Sequence, residues 1–102
     1  MVVSRYARGR EREYRTMNIL KQEGWLVERS AASHGAVDVF AAKGGKLLLI
    51  QVKSGRARVK KEELEELVSW GKNSNGVAEV WHFKDGGKME RRRVYAGKRG
   101  PS

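Results

Sequence analysis

Val37-Asp38-Val39-Phe40-Ala41-Ala42-Lys43, then Gly44-Gly45, then Lys46-Leu47-Leu48-Leu49-Ile50-Gln51-Val52-Lys53-Ser54 is the stretch that decides the fold. Residues 37–43 alternate well enough for a β-strand, the Gly-Gly pair suits a tight turn, and residues 46–54 predict the returning strand of a hairpin. Residues 47–50 are apolar without a break, which places this strand inside a sheet covered on both faces. Counting outward from the turn brings Asp38 opposite Gln51. Gln51 and Lys53 lie two apart and so share one face of their strand.

Residues 6–23, upstream of the hairpin, predict a helix with Gly24 as its C-cap. Its apolar line runs through Tyr6, Met17 and Leu20, and Glu13 falls on that same line. A carboxylate on the buried side of a helix is costly unless it has a partner. Residues 25–29 predict a short strand, and residues 30–36 a loop of small side chains. Downstream, residues 60–72 predict a second helix with Leu64, Leu67, Val68 and Gly71 as its core stripe. Residues 77–84, the turn Asp85-Gly86-Gly87 and residues 88–95 predict a final hairpin. The order is α-β-β-β-α-β-β, an α/β sandwich without repeats or an internal linker. Residues 1–96 are expected to form one domain, with residues 97–102 as a disordered basic tail.

The chain has 102 residues, with 22 Lys and Arg against 12 Asp and Glu, a net charge of +10. There is no cysteine, which excludes disulfides, thiolate metal sites and a cysteine nucleophile, and two histidines leave little for a His-based metal cage. No apolar run is long enough to span a bilayer or to serve as a signal peptide, so a soluble cytoplasmic protein with no membrane partner is expected. Most of the basic residues fall into three clusters: Arg5, Arg8, Arg10, Arg12 and Arg15; Lys53, Arg56, Arg58, Lys60 and Lys61; and Lys88, Arg91, Arg92, Arg93, Lys98 and Arg99. Clusters of this kind deliver several phosphate contacts each and point to a nucleic-acid partner. Arg8, Arg10, Arg12, Arg56, Arg58, Lys60 and Lys61 are the candidate DNA contacts.

Polar residues where the pattern wants apolar ones mark the chemistry. Asp38, the Glu13 carboxylate, the Gln51 amide oxygen and the Val52 backbone carbonyl form an oxygen-donor set of the kind Mg²⁺ prefers. Such an ion activates water and stabilises charge on a scissile phosphate. Lys53 serves there either as an ammonium that neutralises developing charge or, uncharged, as a base. Taken singly, each residue has a plainer reading: Asp38 as a strand-edge residue, Gln51 and Lys53 as a polar exit from the core, and Glu13 as an ion-pair partner in an Arg-rich helix. Their joint register favours a site.

The segment from Val37-Asp38-Val39 to Gln51-Val52-Lys53 resembles the D-x(n)-E-x-K signature of the PD-(D/E)XK nucleases. More narrowly, Arg8-Gly9 with Glu13, Gly24-Trp25, Ala32-Ser33, Asp38 and Gln51-x-Lys53-Ser54 are similar in order to an archaeal-type Holliday junction resolvase, over roughly residues 8–84. The resemblance implies a restriction-endonuclease-like core, a mixed sheet flanked by helices. It also implies a metal-dependent endodeoxyribonuclease that resolves four-way junctions by paired cuts. Glu13, Asp38, Gln51 and Lys53 would be its catalytic residues, with Ser33 as an auxiliary residue in the loop over the scissile phosphate. Mg²⁺, with Mn²⁺ as a substitute, would be its cofactor, branched DNA its partner and a homodimer its working form. Trp70 and Trp81 are candidates for the dimer interface. Gln51 stands where these resolvases usually carry Glu, and Val37 where the motif's name has Pro. Two alternatives remain open, a nuclease of the same fold with another DNA target and a basic DNA-binding module without catalysis.

Overall fold

The computed structural model of the chain describes residues 5–30 and 35–97, with side chains from residue 10 onward. Its elements are α1 (Arg5–Gln22), β1 (Leu26–Arg29), β2 (Val39–Lys43), β3 (Lys46–Ser54), α2 (Lys61–Ser74), β4 (Val77–Phe83), a short 3₁₀ turn (Asp85–Gly87) and β5 (Met89–Ala96). One mixed sheet has the order β1-β2-β3-β4-β5. β1, β2 and β3 run antiparallel, β3 and β4 are parallel with α2 as the crossover between them, and β5 returns antiparallel.

Local chemistry fixes the turn of the deciding hairpin and the end of α1. Gly44 and Gly45 have φ of 55° and 80°, the positive pair that a tight hairpin turn requires and that most side chains oppose. From that turn the register runs Lys43↔Lys46 to Val39↔Ile50, as counted from the sequence. α1 ends where expected: Trp25 N donates to Leu20 O at 3.0 Å across Gly24, whose φ is 92°. This closure takes Trp25 out of the strand, so β1 begins at Leu26.

Alternate residues of the central strands feed two cores. Leu48 and Ile50 of β3 pack with Leu20 of α1, and with Val77, Trp81 and Phe83 of β4. Leu49 packs with Leu67 of α2 and with Ala78 and Val80. The sheet is thus covered by α1 on one face and α2 on the other, which accounts for the unbroken apolar run of β3. The same double cover buries Val77 through Trp81 in succession.

Trp81, a candidate for the dimer interface, is instead fully buried beneath α1, and its Nε1 donates to Glu79 Oε1 at 2.9 Å. Residues 1–4, 31–34 and 98–102, including Ser33 and nearly all of the expected tail, lie outside the described residues. No described helix is long and apolar enough to cross a membrane.

Candidate active site

The site begins where β2 begins. Asp38 precedes the strand, and its backbone is pinned on both sides: its N donates to Ile50 O at 2.8 Å, and its O accepts from Ser30 N at 2.8 Å. Its side chain extends the ladder, with Oδ2 accepting from Val52 N at 2.7 Å. The carboxylate thus takes the place a strand carbonyl would otherwise fill, which fixes it at the end of β3. Burial pushes the Asp38 carboxyl up to about 6, against the pull of the Val52 N–H and of Lys53, with the charges of Glu13 and Glu63 adding to the rise.

The β2–β3 ladder ends at Val39↔Ile50, and Asp38 N also bonds Ile50 O, so Asp38 steps out of that register and reaches β3 through Val52 N, the residue after Gln51. Gln51 is 3% exposed, and its Nε2 donates to Glu63 Oε2 at 2.8 Å. Among the described residues Gln51 Oε1 is a buried acceptor without a partner. Lys53, two residues on, donates through Nζ to Glu63 Oε2 at 3.0 Å and Oε1 at 3.3 Å.

Glu63 occupies the third position of α2 and accepts from Lys60 N at 3.0 Å, the arrangement of a helix-capping carboxylate. Desolvation raises its pKa, but the Lys60 N–H together with Lys53 and Gln51 outweighs that and holds it below the usual carboxylate range. Glu63 was absent from the expected site. A Glu at the start of a helix reads as a cap, and only the seating of α2 across β3 turns it toward Gln51 and Lys53.

Glu13 lies close enough to Asp38 to raise its pKa, but its Oε1 is ion-paired to Arg29 Nη1 at 3.3 Å. Asp38, Gln51 and Lys53 therefore meet, with Glu13 at the margin. No three Asp, Glu or His side chains among the described residues converge as a metal cage. The donor set nevertheless fits a hard cation, because a carboxylate is fixed on Val52 N, next in the chain to an amide oxygen that is buried and unpaired among the described residues.

The basic residues divide between surface and scaffold. Arg10, Arg56, Arg58, Lys60 and Lys61 are exposed, and Arg12 is half-buried with its guanidinium carbon 5.7 Å from the centre of the Phe83 ring. The Arg8 side chain lies outside the described residues. Beside Lys53 opens a cleft of about 200 Å³ lined by Arg58, His82 and Arg92 together with Glu90. Two arginines of the C-terminal cluster serve the fold instead. Arg91 lies over the Trp81 ring at 3.9 Å and pairs with Glu23 at 2.8 Å, while Arg93 pairs with Glu79 at 3.5 Å.

Comparisons with known proteins identify the family and the fold. The family model "archaeal Holliday junction resolvase (hjc)" matches residues 4–93. The crossover junction endodeoxyribonuclease Hjc of Methanocaldococcus jannaschii is 32% identical over 75 residues, covering 71% of this chain and 56% of the relative. The chain thus spans little more than half the length of that curated relative. The structure of Archaeoglobus fulgidus Hjc, a Holliday junction resolvase from an archaeal hyperthermophile, aligns with a TM-score of 0.75 over 85% of this chain and 73% of that one. At 22% identity, that likeness is one of fold.

Proposed function

The chain belongs to the archaeal Holliday junction resolvase family, and from that premise we propose that it is a metal-dependent endodeoxyribonuclease that resolves four-way DNA junctions by paired phosphodiester hydrolysis. The observation that carries this reading is the buried Gln51 Oε1, without a partner among the described residues, one residue before the Val52 N–H that holds the Asp38 carboxylate. A buried acceptor left without a donor costs about 1–3 kcal/mol, a cost that a cation at the site removes.

Asp38, Gln51 Oε1 and the Val52 carbonyl would hold Mg²⁺ or, in its place, Mn²⁺, with Glu13 joining them on release from Arg29. Bound there, the ion supplies a water of lowered pKa and neutralises charge on the scissile phosphate. Lys53 acts as an ammonium. Ion-paired to Glu63 at 3.0 Å, it presents a cation to the oxygen that gains charge during the cut. Arg10, Arg12, Arg56, Arg58, Lys60 and Lys61, with Arg92 and His82 of the adjoining cleft, line the path for the DNA backbone. Arg8 belongs to that list by its charge cluster, and Ser33 to the site by the resemblance.

Two symmetric cuts call for two copies of the site, and a homodimer supplies them. Leu26 at 79% exposed and Trp70 at 45% exposed leave an apolar surface for the second copy. Phe40, edge-on to Trp70 with ring centres 6.0 Å apart, extends it. Trp70→Glu is expected to convert a dimer to monomers in sedimentation analysis. Junction specificity is tested by offering a labelled four-way junction against an excess of linear duplex. Preferential cutting of the junction supports the reading, and equal cutting of both leaves a nuclease with another target.

A further inference from the structure

We infer that Glu63 and Gln51 are an exchanged acid–amide pair, in which the carboxylate on α2 does for the site what a carboxylate at position 51 does in relatives that carry Glu there. Glu63 is then a positioning residue that aims the Gln51 amide. The inference rests on the metal-site reading above and deepens it.

Chemistry fixes the orientation of the amide. Ionised Glu63 can only accept hydrogen bonds, so the Gln51 atom 2.8 Å from its Oε2 must be the NH₂ nitrogen. A flipped amide would set oxygen against oxygen. Oε1 is thereby turned away from Glu63 and left buried without a partner.

Glu63 is itself held in place by the Lys60 N–H at 3.0 Å and Lys53 Nζ at 3.0 Å. Its position near the N-terminus of α2 favours the negative charge. The negative charge expected at position 51 is thus present one side chain away, and a neutral oxygen takes the ligand position. The same contact forbids two acids. A Glu at position 51 would stand against Glu63 with no proton between them.

The test is a cycle of Glu63→Gln, Gln51→Glu and the double swap, each titrated with Mn²⁺ by calorimetry in the absence of DNA and assayed for junction cleavage with Mg²⁺. Glu63→Gln should weaken Mn²⁺ binding by about 10- to 100-fold, with little change in the unfolding temperature of the metal-free protein. Gln51→Glu alone should lower that unfolding temperature, and the swap should recover both unfolding temperature and Mn²⁺ affinity. The pair is overturned if Glu63→Gln binds Mn²⁺ as the parent does, or if the losses of the two single variants simply add in the swap. Should Gln51→Glu alone fail to fold, Glu63→Gln and the swap each stand as separate tests. Recovery of Mn²⁺ affinity without junction cleavage by any form would uphold the pair and remove the nuclease reading.

Discussion

Two acids, Glu79 buried in the sheet and Asp38 half-buried at its margin, have surroundings that differ in kind. Glu79 of β4 lies beneath α1 with its polar atoms satisfied: Trp81 Nε1 donates to it at 2.9 Å, and Arg93 pairs with it at 3.5 Å. Asp38 stands just before β2 with its carboxyl raised to about 6, bound to Val52 N, and the neighbouring Gln51 carries an amide oxygen without a partner among the described residues. A satisfied buried charge holds a fold together, while a buried acceptor left unpaired beside a carboxylate of raised pKa points to a group that completes it. The contrast assigns structure to β4 and chemistry to the junction of β2 and β3.

The strongest way to break that contrast is to exchange the consequences. Lys53→Ala should cut junction cleavage by about 10²- to 10³-fold while leaving the unfolding midpoint within a few degrees. Glu79→Ala should do the reverse. It strands the Trp81 N–H in the core and should destabilise the fold by about 1–3 kcal/mol, with cleavage per folded molecule unchanged. Loss of cleavage in Glu79→Ala at full folding would erase the distinction.

A subtler effect comes from Asp38. Its carboxyl titrates near 6 in the folded chain, above its ordinary value of 3.8, so ionising it opposes folding. In the metal-free protein that cost is absent well below pH 4, grows as pH rises toward 6 and is complete above it. Asp38→Asn keeps an acceptor for Val52 N and removes the charge. It should stabilise the metal-free protein by roughly 1–3 kcal/mol at pH 7, with no gain near pH 3, as read by denaturant unfolding at both values. Mn²⁺ affinity of the parent should rise with pH up to about 6 and level off above, because the ion requires the carboxylate.

The smallest effect belongs to the surface. Arg58→Ala or Lys61→Ala should each lower the salt slope of junction binding by about one, measured by fluorescence anisotropy across an ionic-strength series.

The part of the site that depends on one hairpin was legible in the sequence. Gly44-Gly45 sets the register as far as Val39↔Ile50, which brings Asp38 to the Gln51 end of β3, and Lys53 shares the Gln51 face toward Glu63. The two-sided apolar run of residues 47–50 likewise marked β3 as the sheet's central strand.

What depends on packing between distant elements was not legible. Glu63 meets β3 only because the α2 crossover lands its first turn over Gln51 and Lys53. Trp81 reads as an interface residue until both faces of β4 are covered, and the C-terminal arginines read as a DNA surface until Arg91 and Arg93 are found on Trp81, Glu23 and Glu79. Glu13 lies on the apolar line of α1, yet Arg29 from β1 claims its carboxylate. No local pattern announces that partner.

The most direct measurement is cleavage of a symmetrically labelled four-way junction by the intact protein, in Mg²⁺ and in EDTA, beside a fold-verified Asp38→Asn variant. The expected result is paired cuts near the branch point in Mg²⁺ alone, absent in the variant although it still binds the junction. A parent protein that binds the junction tightly but leaves it uncut in both Mg²⁺ and Mn²⁺ would contradict the account.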